Sequence, residues 1–560
     1  MEGRSRGLRW VRKASASRVR KRIAHLCVII NPARSILGLC LLTLGLLIGC
    51  SGAPSSPLPS PTTEGGLPSL EPQGTAVSQE ATSEPPTSTP HPSPAPTQLP
   101  TSTPTPPPLP GVCLRQQFSD DIQACHAAPS YDIELTVDPA SARVTGHEQI
   151  TYTNGEGTPL DTLYLRLFPS TEAYGGAMTV THLLKNGEHV TPSNELEGSG
   201  LQVPLEPPLG PDQMLTLSMD FTVDIPTSGA HGHGLFSYIQ GVMALPTVYP
   251  KIPVHNEDGW NVEVAPVHGD DIFADVSAYK VRITAPPAFT LISSGACTRP
   301  EEGTWLCEAA PVRDFALILG KDYERAARRV AGVVVNSYFY PWHAVGGGRA
   351  LDVAVGAMEA FSEIFGPYPY TELDVVETPN YLGGMEYSSL VVVEDRLYPG
   401  VSGVEWLTAH EVAHQWWTIV VGNDQVDEPW LDEALTQYST MLYYEEAYGK
   451  ERAQAILYSE FIQTYESLKA TGRDMPAGLP ADAYPPSLYW RVVYDKGALY
   501  FHELRERVGD ELFFEVLRTY YGRYRYQIAT PEAFLDTVES VTGDRHQDLY
   551  EKWIGGQAES

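Results

Sequence analysis

Between about residues 111 and 321 the chain alternates apolar and polar positions over short stretches. Alternation with a period of two is typical of half-buried β-strands, because successive side chains point to opposite faces of a sheet. Turn signals such as Asn154-Gly155 and Asn186-Gly187 separate the stretches. The alternating stretches are 131–137, 148–153, 162–168, 215–223, 279–284 and 315–319. The pattern predicts an N-terminal antiparallel β domain over residues 111–321.

From residue 322 onwards the pattern changes to a few short strands followed by helices. Apolar runs predict three strands, at 333–335, 373–377 and 389–394. Apolar residues at helical spacing predict a helix from Leu351 to Phe365, and nearly all of the sequence beyond Glu405 has helical periodicity. A small strand lobe followed by helices predicts a second domain, here residues 322–560. The predicted fold class is therefore α+β and multidomain, with a mainly helical second domain.

The first 49 residues have the composition of a targeting segment. They hold ten Arg and Lys and one acidic residue, and they end in the short apolar stretch Ile36–Ile48. That stretch is too short for a comfortable transmembrane helix. Leu47-Ile48-Gly49-Cys50 resembles a bacterial lipobox, which implies that residues 1–49 are a lipoprotein signal peptide and that lipid is attached to the Cys50 thiol. The alternative is an uncleaved signal anchor with an incidental cysteine.

Residues 50–110 form a low-complexity segment after the predicted cleavage site. Of residues 51–110, 18 are Pro and 20 are Ser or Thr. Such a composition cannot bury enough apolar surface to offset the entropy of ordering, so we expect a disordered, partly polyproline tether. Together with Cys50, the tether predicts an extracytoplasmic protein that is lipid-anchored to the bacterial cell membrane or envelope.

The chain is strongly acidic, with a formal net charge of −31. Since residues 1–49 hold ten basic residues and one acid, the remainder carries 28 basic against 68 acidic residues, a net charge of −40. This balance argues against nucleic acid or an anionic membrane surface as a partner. It leaves the oligomeric state open.

Four of the seven cysteines lie beyond Cys50, namely Cys113, Cys125, Cys297 and Cys307. Three pairings are possible, and the alternative is four reduced thiols. Short loops favour the pairs Cys113–Cys125 and Cys297–Cys307, and an extracytoplasmic location favours oxidation. No two cysteines have a Cys-x-x-Cys spacing, so a thiolate metal site is unsupported.

The main chemical motif is His410-Glu411-Val-Ala-His414. On a helix both imidazoles project from one face and can bind one cation, while Glu411 lies close enough to act on a metal-activated water. A lone His pair on a helix is often only polar surface, but the apolar flanks here indicate a buried helix. Glu433 follows in a second helical run and can supply a third ligand. Two His and one Glu with an open fourth position predict one catalytic zinc ion per chain.

Two further motifs point to a known family. Leu382-Gly-Gly384-Met385-Glu386 precedes a predicted strand, and Val493-Tyr494-Asp-Lys-Gly497 opens a predicted helix. With the metal motif, in this order and at these distances, they resemble the aminopeptidase N and leukotriene-hydrolase family of zinc metallopeptidases. The resemblance covers about residues 130–556. It also includes the stretches Val312–Ala316 and Phe365–Tyr370.

The resemblance implies that residues 322–560 form a thermolysin-like, mainly helical zinc catalytic domain, and it implies a role for each motif residue. His410, His414 and Glu433 would bind zinc, and Glu411 would be the general base that later protonates the leaving amine. The Tyr494 hydroxyl would donate a hydrogen bond to the oxyanion. Glu386, with Gly384 and Met385, would bind the substrate and capture its free α-amine.

The sequence departs from the family at two places. Tyr387 replaces the asparagine of the family's Gly-x-Met-Glu-Asn motif, and 66 residues follow Tyr494, too few for a large C-terminal helical domain. We therefore expect a more open cleft. The leading prediction is a zinc-dependent aminopeptidase that hydrolyses N-terminal residues from peptides with a free N-terminus. The alternatives are a zinc endopeptidase that uses the open cleft and a catalytically silent surface binding lipoprotein.

Overall fold

β-Strands dominate the N-terminal part of the chain and helices dominate the C-terminal part. A computed structural model describes residues 113–125, 128–229, 232–270 and 273–555, all within one compact unit. The predicted signal peptide at 1–49, the tether at 50–110 and Cys50 lie outside the described residues. Among the described helices, none is both long enough and apolar enough to cross a membrane.

The first seventeen strands of the described chain build the N-terminal part. They are β1 Ser130–Asp138, β2 Arg143–Thr153, β3 Leu160–Arg166, β4 Ala177–Lys185, β5 Glu188–His189, β6 Ser193–Glu195, β7 Gly200–Leu209, β8 Met214–Asp224, β9 Ser237–Ile239, β10 Val242–Pro246, β11 His255–Asn256, β12 Gly259–Trp260, β13 Ser277–Thr284, β14 Thr290–Ser293, β15 Ala296–Glu301, β16 Thr304–Val312 and β17 Ala316–Gly320.

An eight-stranded sheet has the order β15-β16-β13-β1-β2-β8-β4-β5. Its neighbouring strands are antiparallel except for β1 and β13, which run parallel. The predicted alternation holds: Tyr131, Ile133, Leu135 and Val137 of β1 are buried, and the intervening residues are exposed. A four-stranded sheet, β14-β17-β10-β9, packs against the C-terminal part through the apolar cluster that contains Ile318.

The C-terminal part contains a second mixed sheet and ten helices among the described residues. The strands are β18 Glu324–Val330, β19 Val333–Phe339, β20 Glu372–Thr378, β21 Gly384–Tyr387 and β22 Leu390–Glu394, in the order β18-β19-β20-β22-β21. The helices are α1 Ala344–Ile364, α2 Val401–His414, α3 Trp430–Tyr448, α4 Lys450–Ile456, α5 Gln463–Ala470, α6 Pro486–Tyr489, α7 Gly497–Val508, α8 Asp510–Tyr524, α9 Pro531–Thr542 and α10 Gln547–Tyr550. The α+β multidomain prediction is confirmed, whereas the boundary at 321/322 stays a prediction.

Helix α1 begins seven residues before the predicted start at Leu351. Its first turns contain three glycines. Glycine lowers intrinsic helix propensity, so the local sequence does not indicate a helix at these positions. Two of them lie where a side chain has no room. A Cβ on Gly347 would lie 2.1 Å from the Phe339 ring, and a Cβ on Gly346 would lie 2.4 Å from the Tyr398 carbonyl oxygen. Close packing against Phe339 of β19 and against Tyr398 therefore stabilises this end of the helix. Sequence periodicity does not show these contacts.

The structure pairs two of the four cysteines. Cys297 and Cys307 form the predicted disulfide between the neighbouring strands β15 and β16, where they lie opposite each other. The predicted Cys113–Cys125 bridge is wrong, because both thiols are free. Cys113 Sγ donates to the Ala310 carbonyl oxygen at 3.1 Å and accepts from the Ala310 N–H at 3.3 Å. The Cys113 thiol thereby makes its hydrogen bonds with the backbone of β16.

Arg313, which follows β16, joins the β-rich part to segments far along the chain. Its guanidinium is buried and donates to the carbonyl oxygens of Ala274 (2.7 Å), Ile419 (3.0 Å) and Gln527 (2.8 Å). Ile419 lies directly beyond α2 and Gln527 beyond α8. One side chain therefore supplies the donors for three backbone acceptors, two of which, those of Ala274 and Ile419, belong to buried residues.

Replacing Arg313 with Met should destabilise the protein by about 3–4 kcal/mol, because the buried carbonyls would lose charge-assisted hydrogen bonds without gaining water. Urea unfolding of the full chain measures the change. Arg518→Met is the matched control: Arg518 is exposed, pairs with Glu515 one turn away and makes one long contact of 3.5 Å to the Ile364 carbonyl oxygen, so we expect a change below about 0.5 kcal/mol. Equal stability of the Arg313 variant and the control would contradict this account.

Candidate active site

Two buried histidines on α2 and a buried glutamate on α3 face one another. The Nε2 atoms of His410 and His414 are 3.2 Å apart, because residues four apart lie on one face of a helix. Glu433 Oε2 lies 3.5 Å from His410 Nε2 and 3.3 Å from His414 Nε2. The structure thus brings the three predicted metal ligands together.

The chemistry of this donor set fits a zinc ion. Glu433 Oε2 faces both imidazoles but accepts no hydrogen bond of good geometry from either. Three converging acceptor atoms in a buried site cannot all be satisfied by one shared proton, whereas a divalent cation satisfies all three. Two His and one Glu are also the ligand set of catalytic zinc sites that keep a fourth position open.

Polar neighbours hold the ligands in place from behind. His414 Nδ1 lies 2.9 Å from Thr418 Oγ1 and 3.2 Å from Thr436 Oγ1. Asp432, next to Glu433, accepts hydrogen bonds from Thr418 at 3.2 Å and from Asn423 at 3.0 Å. Such contacts orient an imidazole and leave its other nitrogen directed at the metal position.

Glu411 lies in the same cavity, buried, and close to Glu386 and His414. Burial and the neighbouring Glu386 raise the pKa of the Glu411 carboxyl well above its ordinary value. Gly384 provides the room for this carboxylate: a Cβ at Gly384 would lie 2.3 Å from Glu411 Oε1. The structure therefore places Gly384 against the predicted general base.

Glu386 points into the cavity from the edge strand β21. One of its oxygens lies 3.8 Å from His414 Nδ1. Burial raises the pKa of Glu386 to about 7, although His414 opposes the shift. A buried carboxylate beside the metal position is suited to binding a cationic group, since an ammonium ion compensates its charge.

Tyr387 does not enter the cavity. Successive side chains of β21 alternate, so Tyr387 packs on the opposite face, in the apolar cluster with Ile318 and Val392. Met385 belongs to that cluster as well but also borders the cavity. Tyr387 therefore packs between the two parts of the chain, while Glu386 borders the cavity.

Two distant side chains hold the turn that follows Glu386. Asp314 Oδ1 accepts from the Ser388 N–H at 2.8 Å. Gln415, directly after His414, accepts from the Ser389 N–H at 3.0 Å and donates to the Tyr387 carbonyl oxygen at 3.0 Å. The position of Glu386 is thus coupled directly to the metal helix.

Tyr494 faces the metal position from a π-helical segment, Trp490–Lys496, between α6 and α7. Its hydroxyl donates to Glu433 Oε1 at 2.5 Å. Its ring stacks between His410, at 5.8 Å between centroids, and Trp490, at 4.4 Å. Trp490 is 43% exposed at the cavity edge, so the stack leads from the metal ligands to solvent.

Sequence reasoning did not find Asp270, which enters the cavity from the β-rich part. Burial and the neighbouring Glu433 and Glu386 raise the pKa of its carboxyl well above the ordinary value. The preceding His268 anchors the segment, with Nε2 at 3.1 Å from the Ala481 carbonyl oxygen. An aspartate in an irregular segment carries no periodic or motif signal, so only the tertiary structure identifies it.

Sequence comparison identifies the family of the C-terminal part of the chain. Residues 349–553 match the Peptidase family M1 domain. These residues belong to the peptidase M1 family. The predicted resemblance to the aminopeptidase N family is thereby confirmed, and the matched residues contain the metal motif, Glu386 and Tyr494.

Curated M1 relatives are similar over the same part of the chain. Aminopeptidase M1-B of Oryza sativa subsp. japonica is 26% identical over 230 residues, which cover 37% of this chain and 25% of the relative. Endoplasmic reticulum aminopeptidase 1 of Homo sapiens is 24% identical over 234 residues, or 39% of this chain and 25% of the relative. The match spans about a quarter of the length of these relatives.

Solved M1 structures share the fold over more of the chain. A variant of the M1 zinc metallopeptidase from Deinococcus radiodurans has a TM-score of 0.59 at 22% identity, covering 78% of this chain and 95% of that one. A two-domain M1 zinc metallopeptidase bound to L-arginine has a TM-score of 0.58 at 21% identity, covering 77% and 94%. At these identities the likeness establishes the fold.

Proposed function

We propose that this protein is a zinc-dependent aminopeptidase that removes N-terminal residues from peptides. One observation carries the proposal: His410, His414 and Glu433 converge in a buried cavity that also contains Glu411, Glu386 and Tyr494. The match of residues 349–553 to the M1 family and the similarity of this part of the chain to aminopeptidases support it.

In this proposal His410, His414 and Glu433 hold the zinc ion. When bound, zinc supplies Lewis-acid chemistry, acidifying a water molecule and polarising a carbonyl group. Glu411 takes a proton from the attacking water at a carboxylate oxygen and returns it to the leaving amine. The Tyr494 hydroxyl donates a hydrogen bond to the oxygen that becomes negative.

Glu386 binds the free α-amine of the substrate as an ion pair. Since β21 and the contacts of Asp314 and Gln415 hold Glu386 in place, the amine binds at a constant distance from Glu411. Only the first peptide bond then lies at the reacting position. This restriction separates an aminopeptidase from the endopeptidase that an open cleft would allow.

Replacing Glu386 with Gln should lower kcat/KM for a free N-terminal peptide by about 100-fold, since a buried, charge-assisted contact contributes roughly 2–3 kcal/mol. Cleavage of the N-acetylated form of the same peptide should be very slow in both the parent protein and the variant. Glu394→Gln, on β22 and paired with Arg396, is the control. Equal cleavage of blocked and free peptides by the parent protein would exclude the amine-binding role and favour the endopeptidase.

A peptide-library digest read by mass spectrometry tests the whole proposal. We expect stepwise loss of N-terminal residues, abolished by a chelator and restored by zinc. Internal cleavage products would contradict the aminopeptidase. Absence of stoichiometric zinc and of any cleavage would instead favour a surface binding protein.

We also propose an extracytoplasmic location with lipid on Cys50, supported by the lipobox-like sequence and by the Cys297–Cys307 disulfide. In a bacterial host, Cys50→Ser should abolish incorporation of labelled palmitate and release the protein from the membrane fraction. Cys40→Ser, a neighbouring cysteine in the predicted signal peptide, is the matched control and should be labelled normally. Labelling of the Cys50 variant would contradict the anchor.

A further inference from the structure

A second cavity lies at β18, the edge of the five-stranded sheet opposite β21. Its volume is about 840 Å³, and its walls come from β14, β15, β18, β19 and the start of β20. It shares no lining residue with the cavity around Glu411. None of the steps proposed above uses it.

Three guanidinium groups border this cavity, those of Arg299, Arg325 and Arg329. Arg325 and Arg329 are four residues apart on β18 and so face the same side of the sheet. Within the described chain, none of the three forms an ion pair with a carboxylate. Instead Arg325 donates to Asn336 Oδ1 at 2.6 and 2.9 Å, Arg329 donates to the Gly332 carbonyl oxygen at 3.4 Å, and Arg299 lies over the Trp305 ring.

Arg328, on the same strand, differs from these three arginines because it forms an ion pair with a carboxylate. Its side chain lies on the other face of the sheet and pairs with Asp352 of α1 at 2.8 Å. The chain has 69 acidic against 38 basic residues, so acidic partners are plentiful. The three cavity arginines nevertheless form no ion pair in the described chain, and all three are exposed.

Two acids at the cavity floor, Glu372 and Asp374, form no ion pair with these arginines in the described chain, although Arg325 acts electrostatically on both. Glu372 and Asp374 both accept hydrogen bonds from the Asn336 amide nitrogen, which lies between them and Arg325. Burial and the neighbouring Glu372 raise the pKa of Asp374 well above its usual range. Two carboxyl groups thus line this cavity together with three guanidinium groups.

Guanidinium groups match carboxylate and phosphate oxygens in geometry and charge. The rest of the lining offers apolar contact through Leu291, Trp305, Val334 and Tyr338. A volume of this size is in the range of sites for small molecules. We propose that this cavity binds a small organic ligand through an oxyanion group, a carboxylate or a phosphate, held by Arg299, Arg325 and Arg329.

The test titrates the full chain with inorganic phosphate and, separately, with succinate, by calorimetry at constant ionic strength. We expect saturable binding to the parent protein that is about tenfold weaker in Arg299→Ala and in Arg329→Ala, since each loses one charge-assisted contact. These two arginines are chosen because neither donates a hydrogen bond to a buried side chain, whereas Arg325 orients Asn336. Whichever of the two anions binds more tightly identifies the oxyanion class.

Arg328→Ala is the matched control and should bind like the parent protein. Glu411→Gln should also bind normally, which separates this site from the metal centre. Thermal unfolding without ligand verifies that each variant is folded. Binding that survives at full strength in both arginine variants, or that is not saturable, would overturn the proposal. So would anomalous density for selenate soaked into crystals that lies away from the three arginines.

Discussion

Replacing Glu411 with Gln should lower kcat for a Leu or Ala anilide by about 10³- to 10⁴-fold, the upper range for loss of a general base that also acts as the acid. Gln has nearly the same size but cannot accept a proton at neutral pH, so the variant removes the proton transfer and little else. The site already favours this role, because Glu411 is buried beside the metal position and Gly384 leaves space for its carboxylate.

The zinc content of the Glu411→Gln variant shows whether lost activity reflects the missing proton transfer or a missing metal ion. Since Glu411 is not among the three converging ligands, the variant should bind zinc stoichiometrically. Glu405→Gln is the control on the same helix, because Glu405 pairs with Arg349 at 2.6 Å, away from the cavity, and should keep full activity. Full activity of the Glu411 variant would exclude the proposed mechanism.

Replacing Tyr494 with Phe should lower kcat by about 10²- to 10³-fold with little change in KM, the usual cost of losing one oxyanion donor. The substrate carbonyl acquires its full negative charge only in the transition state, so the lost hydrogen bond affects kcat more than binding. The ring should stay in place, because both His410 and Trp490 stack against it.

Tyr500→Phe is the matched control for this change. Tyr500 lies on α7 of the same helical run, and its buried hydroxyl has no hydrogen-bond partner in the described chain. Its removal should leave kcat unchanged. A Tyr494 variant that loses only substrate affinity would show that the hydroxyl binds the ground state and does not stabilise the oxyanion.

Much of the fold could be predicted from local pattern. The β-rich part follows from period-two alternation, which a sheet with one buried face imposes on each strand separately. The start of α1 could not be predicted in this way, because glycine is unfavourable in helices. Gly346 and Gly347 are required only by their contacts with Tyr398 and Phe339. The Cys113–Cys125 pairing failed for a related reason, since loop length does not show that Ala310 holds the Cys113 thiol.

The candidate site likewise has a part that the local sequence determined and a part that only tertiary contacts decided. The spacing of His410, Glu411 and His414 by itself determined that two imidazoles share a helix face with a carboxylate beside them, because helical geometry is set within one turn. The tertiary structure alone decided that Glu433 faces both imidazoles, that Asp314 and Gln415 hold the turn after Glu386, and that Asp270 enters the cavity. These contacts join segments from about 20 to more than 160 residues apart, and packing over such separations leaves no periodic signal in the sequence.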